Sequence, residues 1–237
     1  MGVSPIRQLV TFATIHLITF SVYSSDGGFW YSMRWEGIER FRKIGGNKAM
    51  SRSQDEYVWE IKQFRHQKDQ FFATSPDAPI PAQERGQFQG LRYFEPDPAY
   101  RVEAELVRFP TPEVVQLGTT TGRISQHYRY GEVRFTLGGQ PCRLTAYKSV
   151  HAHGHDVHAD RELFLPFRDA TSGQESYGAG RYLEVEEDNA GPGRVLLDFN
   201  LAYSPWCSYS DLYSCVLPPA ENRLSVPVRA GERSYHE

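Results

Sequence analysis

The chain has 237 residues, 40% of them hydrophobic and 14% aromatic, and a formal net charge of −3. Such a length suits one large β domain or two small ones, and acids and bases are interspersed, without the basic stripe that neutralises phosphates. Nucleic acid is thereby excluded as an expected partner, and the ring-rich composition favours strands, because aromatic side chains fill a half-buried pleated surface well.

At the N-terminus, "IRQLVTFATIHLITFSVYSS" places one Arg before an apolar run from Leu9 to Tyr23. The run is short for a transmembrane helix and is broken up by Thr and Ser, so a membrane partner is not expected. Two readings stand: the h-region of a secretory signal, or sequence upstream of a natural start at Met50. On either, residues 1–49 are an extension and residues 50–237 form a single β-rich domain. Three cysteines, an odd number, do not make the disulfide framework of a secreted protein. A cytoplasmic location is therefore expected, with export as the alternative if residues 1–25 are a genuine signal.

Ser53 with Glu56 three residues on fits a capping box. In "EYVWEIKQFRHQKDQFF", Ile61, Phe64 and Phe71, with Trp59 and Phe72 nearby, recur at helical spacing and should dock one apolar side on the rest. Pro76, Pro79 and Pro81 then forbid a helix. The connection they build should be ordered, since it carries Ile80 and Phe88 to bury.

From Leu91 the period becomes two. "YRVEAELVRF" alternates Val102, Ala104 and Leu106 against Arg101, Glu103 and Glu105, as a strand with one wet face does. "GEVRFTLGGQPCRLTAYK" reads as two strands around Gly138-Gly139, where two positive-φ positions allow a tight primed turn. Further strands are expected at 113–120, 124–130, 162–168, 180–186, 194–203 and 223–229. Eight or nine short strands with no helix between them predict a mainly β fold. It is an antiparallel meander closed into a barrel or folded into a sandwich, with one N-terminal helix packed on it.

Several groups of residues can carry chemistry. "HAHGHDVHAD" offers His151, His153, His155, Asp156 and His158, imidazole and carboxylate ligands for zinc, nickel or copper. The same tract also reads as a solvated loop with adventitious affinity for a divalent metal. Arg181 shares a parity with Leu183 and Val185, so it points inward and needs partners for its five donors. Asp169 or Asp198 can be that partner, or Arg181 is a fork for a ligand carboxylate or phosphate. Asp198 and Asn200 end an apolar strand, where Asx side chains either tie down the following turn or line a pocket. In "SPWCSYSDLYSC", Cys207 and Cys215 are spaced too widely for a usual zinc clip. They read as buried small residues or a disulfide, or Cys207 is a nucleophile helped by Asp198 or Glu221 and a base such as His127.

The chain resembles a bacterial and archaeal family catalogued as domain of unknown function 1684. The resemblance rests on "RHQKDQFF", "GLRYFEPDPAYRVEAEL", "TTTGRISQHYRYGEVRFTL", "LFLPFRDATSGQESYGAGRYLEV" and "LDFNLAYSPWCSYSDLYSCVLPPAENRLSVPVRAGE", together about residues 53–232. It implies a shared fold and no reaction, and the histidine run lies outside its pattern. The expected function is a module that binds a small acidic or aromatic ligand between Arg168, Arg181, Tyr182, Asn200 and Tyr203, with no cofactor. The alternatives are a hydrolase-like enzyme using Cys207 or an Asp/Arg site, and a metal protein using the His151–His158 loop.

Overall fold

The structure is a computed structural model that describes residues 53–150 and 161–236, together with the backbone of 18–25 and 28–35. The chain divides into two units, Met1–Arg52 and Ser53–Glu237. In the first, β1 (Ile18–Ser25) and β2 (Gly28–Trp35) pair antiparallel, Ile18 opposite Trp35. Residues 18–23 of the apolar run thus lie in a strand; the rest of it falls outside the described residues.

The second unit opens with α1 (Gln54–Thr74), where the Ser53 hydroxyl accepts a hydrogen bond from the Glu56 amide at 3.2 Å. The buried stripe of α1 is Tyr57, Ile61, Arg65, Lys68 and Phe72, whereas Trp59 is 59% exposed. This differs from the all-apolar face that the spacing predicts. The helix packs over chain crossings that present carbonyls and carboxylates, and these select Arg65 and Lys68 as partners. Phe72, Ile80, Leu91 and Tyr209 form a small apolar cluster around this junction, with Phe88 packed against it.

Six strands make the main sheet: β3 (Arg101–Gly118), β4 (Ile124–Leu137), β5 (Gln140–Ser149), β6 (Glu162–Phe167), β7 (Arg181–Glu186) and β8 (Arg194–Asp198). Their order is β7-β6-β5-β4-β3-β8, with every neighbour antiparallel. The two edge strands follow one another in the chain and approach each other, so the sheet curls into a nearly closed barrel. Each strand sends at least one side chain into a common core: Leu106, Val133, Leu144, Leu165, Leu183 and Leu197, all 4% exposed or less. Burial of one such side chain stabilises the fold by about 1.5–3 kcal/mol.

Among its described residues the second unit has six strands where eight or nine were expected, for local reasons. Segments 101–110 and 113–120 are two parts of one bent strand, β3, whose register against β4 jumps between Arg108 and Glu113. Pro110 and Pro112 lie in the jump and have no N–H to give to a ladder. Segment 124–130 likewise runs on into β4 through a register shift. Residues 223–229 form no ladder: the Leu224 amide bonds Arg168 O, Pro227 interrupts, and the Val228 amide goes to the Asp169 carboxylate. The hairpin at Gly138-Gly139 forms as read, with φ of 57° and 77°.

Asn222 repairs a gap in the barrel. Strands β5 and β6 pair at Tyr147 and Phe164. Where they diverge, Asn222 Oδ1 accepts from the Thr145 amide at 2.7 Å while its Nδ2 donates to Thr145 O at 2.9 Å and Pro166 O at 2.8 Å. Its side chain therefore replaces a missing stretch of ladder. Asn222→Leu strands three buried backbone groups and should lower unfolding free energy by on the order of 3 kcal/mol, read as a reduced urea midpoint with the slope unchanged.

Candidate functional site

The inward parity of Arg181 is realised, and its side chain is fully buried. Nη1 donates to the carbonyls of Ala230 and Glu232, and Nη2 to that of Val228 at 2.7 Å; Asp169 Oδ1 lies 3.4 Å from Nη2. The carbonyls all come from residues 226–234, a C-terminal strap that crosses the barrel. Burial lowers the pKa of the guanidinium, and Asp169 acts in the opposite direction. Asp169 is itself held by Thr171 and by the Val228 amide. The strap is clasped a second time by Glu232, whose carboxylate takes hydrogen bonds from Lys68 at 2.5 Å, from the Ser204 amide at 2.8 Å and from the Tyr209 hydroxyl.

The other polar residues singled out in the sequence fall in three places. Tyr182 and Tyr203 pair through their backbones with rings edge to face at 5.7 Å; Tyr182 donates to Val216 O and Tyr203 to Glu184. Asn200 belongs with Asp198: the Tyr57 hydroxyl bridges both Asp198 oxygens, and Asn200 Nδ2 donates to Tyr57 and to Asp97 O. The Asp198 side chain also accepts from the Asn200 amide and caps a single 3-10 turn over Phe199–Leu201, which is why β8 stops before the expected residue 203. Burial pushes the Asp198 carboxyl up, with the Tyr57 hydrogen bond opposing. Arg168 exchanges backbone hydrogen bonds with Asn222 and Leu224. An open depression of about 550 Å³ is lined by Glu103–Leu106 and Pro192–Arg194, and none of these five residues borders it.

Cys207 and Cys215, in contrast, are brought together. The turn between β3 and β4 reaches across to residues 214–217: Thr120 N–H donates to Cys215 O at 2.9 Å, Cys215 N–H donates to Thr120 Oγ1 at 3.1 Å, and Leu217 N–H donates to Gly118 O at 2.8 Å. The Tyr182 hydroxyl holds the adjoining Val216 carbonyl from the barrel side. Thus fixed, the buried Cys215 Sγ accepts the Cys207 amide hydrogen at 3.2 Å. Cys207 sits in a 3-10 turn, Trp206–Ser208, half-buried, with the Tyr177 hydroxyl 3.7 Å from its sulfur. The neighbouring Cys215 side chain pushes the Cys207 pKa down to about 7 against the effect of burial, and Tyr177 and Thr120 add to it. The same neighbour, with burial, raises Cys215. Of the two thiols, the more accessible one, Cys207, is thereby the more acidic.

Tyr177 and Thr120 are the members of this centre that sequence reasoning missed. Tyr177 lies in a loop of small residues, and Thr120, expected as the last residue of a strand, lies in a turn. His127 lies elsewhere on β4, its Nε2 2.9 Å from Ser125 Oγ and its ring stacked on Phe164. Glu221 accepts from the Tyr147 hydroxyl. Among the described residues no group of three or more His, Cys, Asp or Glu is placed to hold a metal ion, and His151, His153, His155 and His158 fall outside them. Among the described residues no helix is long and apolar enough to cross a membrane.

No curated protein matches the chain. A similar solved structure is the solution NMR structure of an uncharacterized protein of Haloarcula marismortui, 44% identical, with a TM-score of 0.59 over 78% of this chain and 100% of that one. The family described as "Protein of unknown function (DUF1684)" matches residues 86–233, a span that includes the whole barrel, all but the last residue of the strap, Cys207 and Cys215, and leaves α1 outside. On that match and that identity, the chain belongs to the DUF1684 family.

Proposed function

We propose that the protein acts through Cys207, as a thiolate nucleophile toward soft electrophiles. The observation that carries this reading is the half-buried Cys207 sulfur beside a second thiol and the Tyr177 hydroxyl. Thiolate, not thiol, is the attacking species, so donors aimed at a partly accessible sulfur are what activate it. The phenol and the Cys215 thiol fill the place that an imidazolium takes in other cysteine sites. The Arg181 fork, by comparison, spends its terminal nitrogens on carbonyls of the strap.

Iodoacetamide labelling followed by peptide mass spectrometry tests the reading, with Cys142 as an internal reference because burial raises its pKa. Cys207 alkylation should rise through a midpoint at about pH 7 as the thiolate forms. At neutrality roughly half the thiol is then ionised instead of a few per cent; after allowance for the lower intrinsic nucleophilicity of a low-pKa thiolate, the rate should exceed that of free cysteine about threefold. Labelling of Cys207 no faster than free cysteine, with a midpoint above pH 8, overturns the assignment.

A further inference from the structure

Resting on that reading of Cys207, we infer that Cys215 is its resolving thiol and that the substrate class is disulfides, reduced by exchange at this pair. A second thiol whose sulfur lies 3.2 Å from the backbone amide of the nucleophilic cysteine is of use to an adduct that is linked through sulfur, because thiol–disulfide exchange passes through a mixed disulfide that another thiolate cleaves. Hydrolysis of an acyl adduct would call instead for a base that activates water.

The step balances as follows. The Cys207 thiolate attacks one sulfur of the substrate R–S–S–R′; the Cys207–S–R bond forms, the S–S bond breaks, and R′S⁻ leaves and takes up a proton. Cys215 then attacks the Cys207 sulfur, the Cys207–Cys215 bond forms, and RS⁻ leaves with the proton that Cys215 gives up. The substrate disulfide is reduced by two electrons to two thiols and the protein dithiol is oxidised to a disulfide.

The geometry sets the order of the two attacks. Cys207, the half-buried and more accessible sulfur, meets substrate first, while the buried Cys215 is held back from losing its proton by burial and by the neighbouring Cys207. Once Cys207 carries the substrate sulfur, the negative charge that held this proton is gone, and Cys215 is released to ionise. Its backbone does not have to move far to arrive: Thr120 binds Cys215 at both N–H and C=O, and the Cys215 sulfur already contacts the Cys207 amide.

The experiment uses dithiodipyridine and oxidised glutathione on the full chain carrying Cys142→Ala. With Cys207 and Cys215 intact, both halves of the probe should appear as free thiol or thiopyridone, and the peptide map should show a Cys207–Cys215 disulfide with no retained adduct. In Cys215→Ser, one half should stay on Cys207, and this mixed disulfide should outlive that of the parent roughly a hundredfold or more, the gain expected of an oriented intramolecular attack. A parent chain that keeps a stable mixed disulfide on Cys207 overturns the inference and leaves the nucleophile standing. A Cys207 that fails to react with either probe removes both. Because the parent peptide map decides by itself, the test survives a Cys215→Ser variant that folds poorly.

Discussion

Replacing Arg181 by methionine is expected to lower the unfolding free energy by about 3–5 kcal/mol, the cost of removing one member of a buried, hydrogen-bonded charge pair. The side chain has no exposure, and its loss leaves the Val228, Ala230 and Glu232 carbonyls and the Asp169 carboxylate without their cation. Against an ordinary total stability of roughly 5–15 kcal/mol, much of the folded population is at risk. Arg181→Lys should fall between the two, since an ammonium keeps the charge but cannot present a planar fork to carbonyls on both sides. Equilibrium urea denaturation measures the loss, and native-state hydrogen exchange locates it. The amides of Val228, Glu232 and Arg233, bonded to Asp169, Ala202 and Arg92, should lose protection first. Unchanged stability in Arg181→Met would mean that the strap does not depend on the guanidinium.

Gly231→Ala is the second large effect, on the order of 4 kcal/mol, and it acts on the same strap from the outside. Gly231 has φ of 74°, and a Cβ there would stand 2.3 Å from Ala202 O and 2.8 Å from Phe199 O. Both neighbours are backbone of the turn that follows β8, so neither can swing aside as a long side chain would. Adverse φ and steric overlap add, which places the substitution among the severe class of backbone changes. A thermal melt should show the midpoint falling by roughly 8–16 °C, taking about 2–4 °C per kcal/mol for a domain of this size. Gly138→Ala is the control for conformation without crowding: its φ is also positive, but its added Cβ meets nothing within 4 Å.

What could be read from the sequence was whatever depends on neighbours a few residues away. The Ser53 cap, the Gly138-Gly139 turn and the inward parity of Arg181 are all local, and each is found in place. The residues that misled did so where a local pattern was overruled at long range. Pro110 and Pro112 look like the end of a strand, and the chain bulges through them because β4 continues opposite. "RLSVPV" alternates like a strand, yet it serves Arg168 and Asp169 rather than a ladder. The thiol centre was half legible. Both cysteines stood out, but their meeting depends on Thr120, 95 residues before Cys215, and on Tyr177, 30 residues before Cys207. No spacing rule reaches across such separations.

Two long-range contacts of α1 also set a schedule for synthesis. Lys68 waits for Glu232 across 164 residues, and Tyr57 waits for Asp198 across 141. At roughly 5–20 residues per second, the ribosome delivers Glu232 roughly ten to thirty seconds after Lys68. Until then Lys68 lacks Glu232 and Arg181 lacks the strap carbonyls, and Phe72 lacks Tyr209 until that residue is made. Closing the contact between Lys68 and Glu232 therefore waits for the segment carrying Gly231 and Glu232 to leave the ribosome.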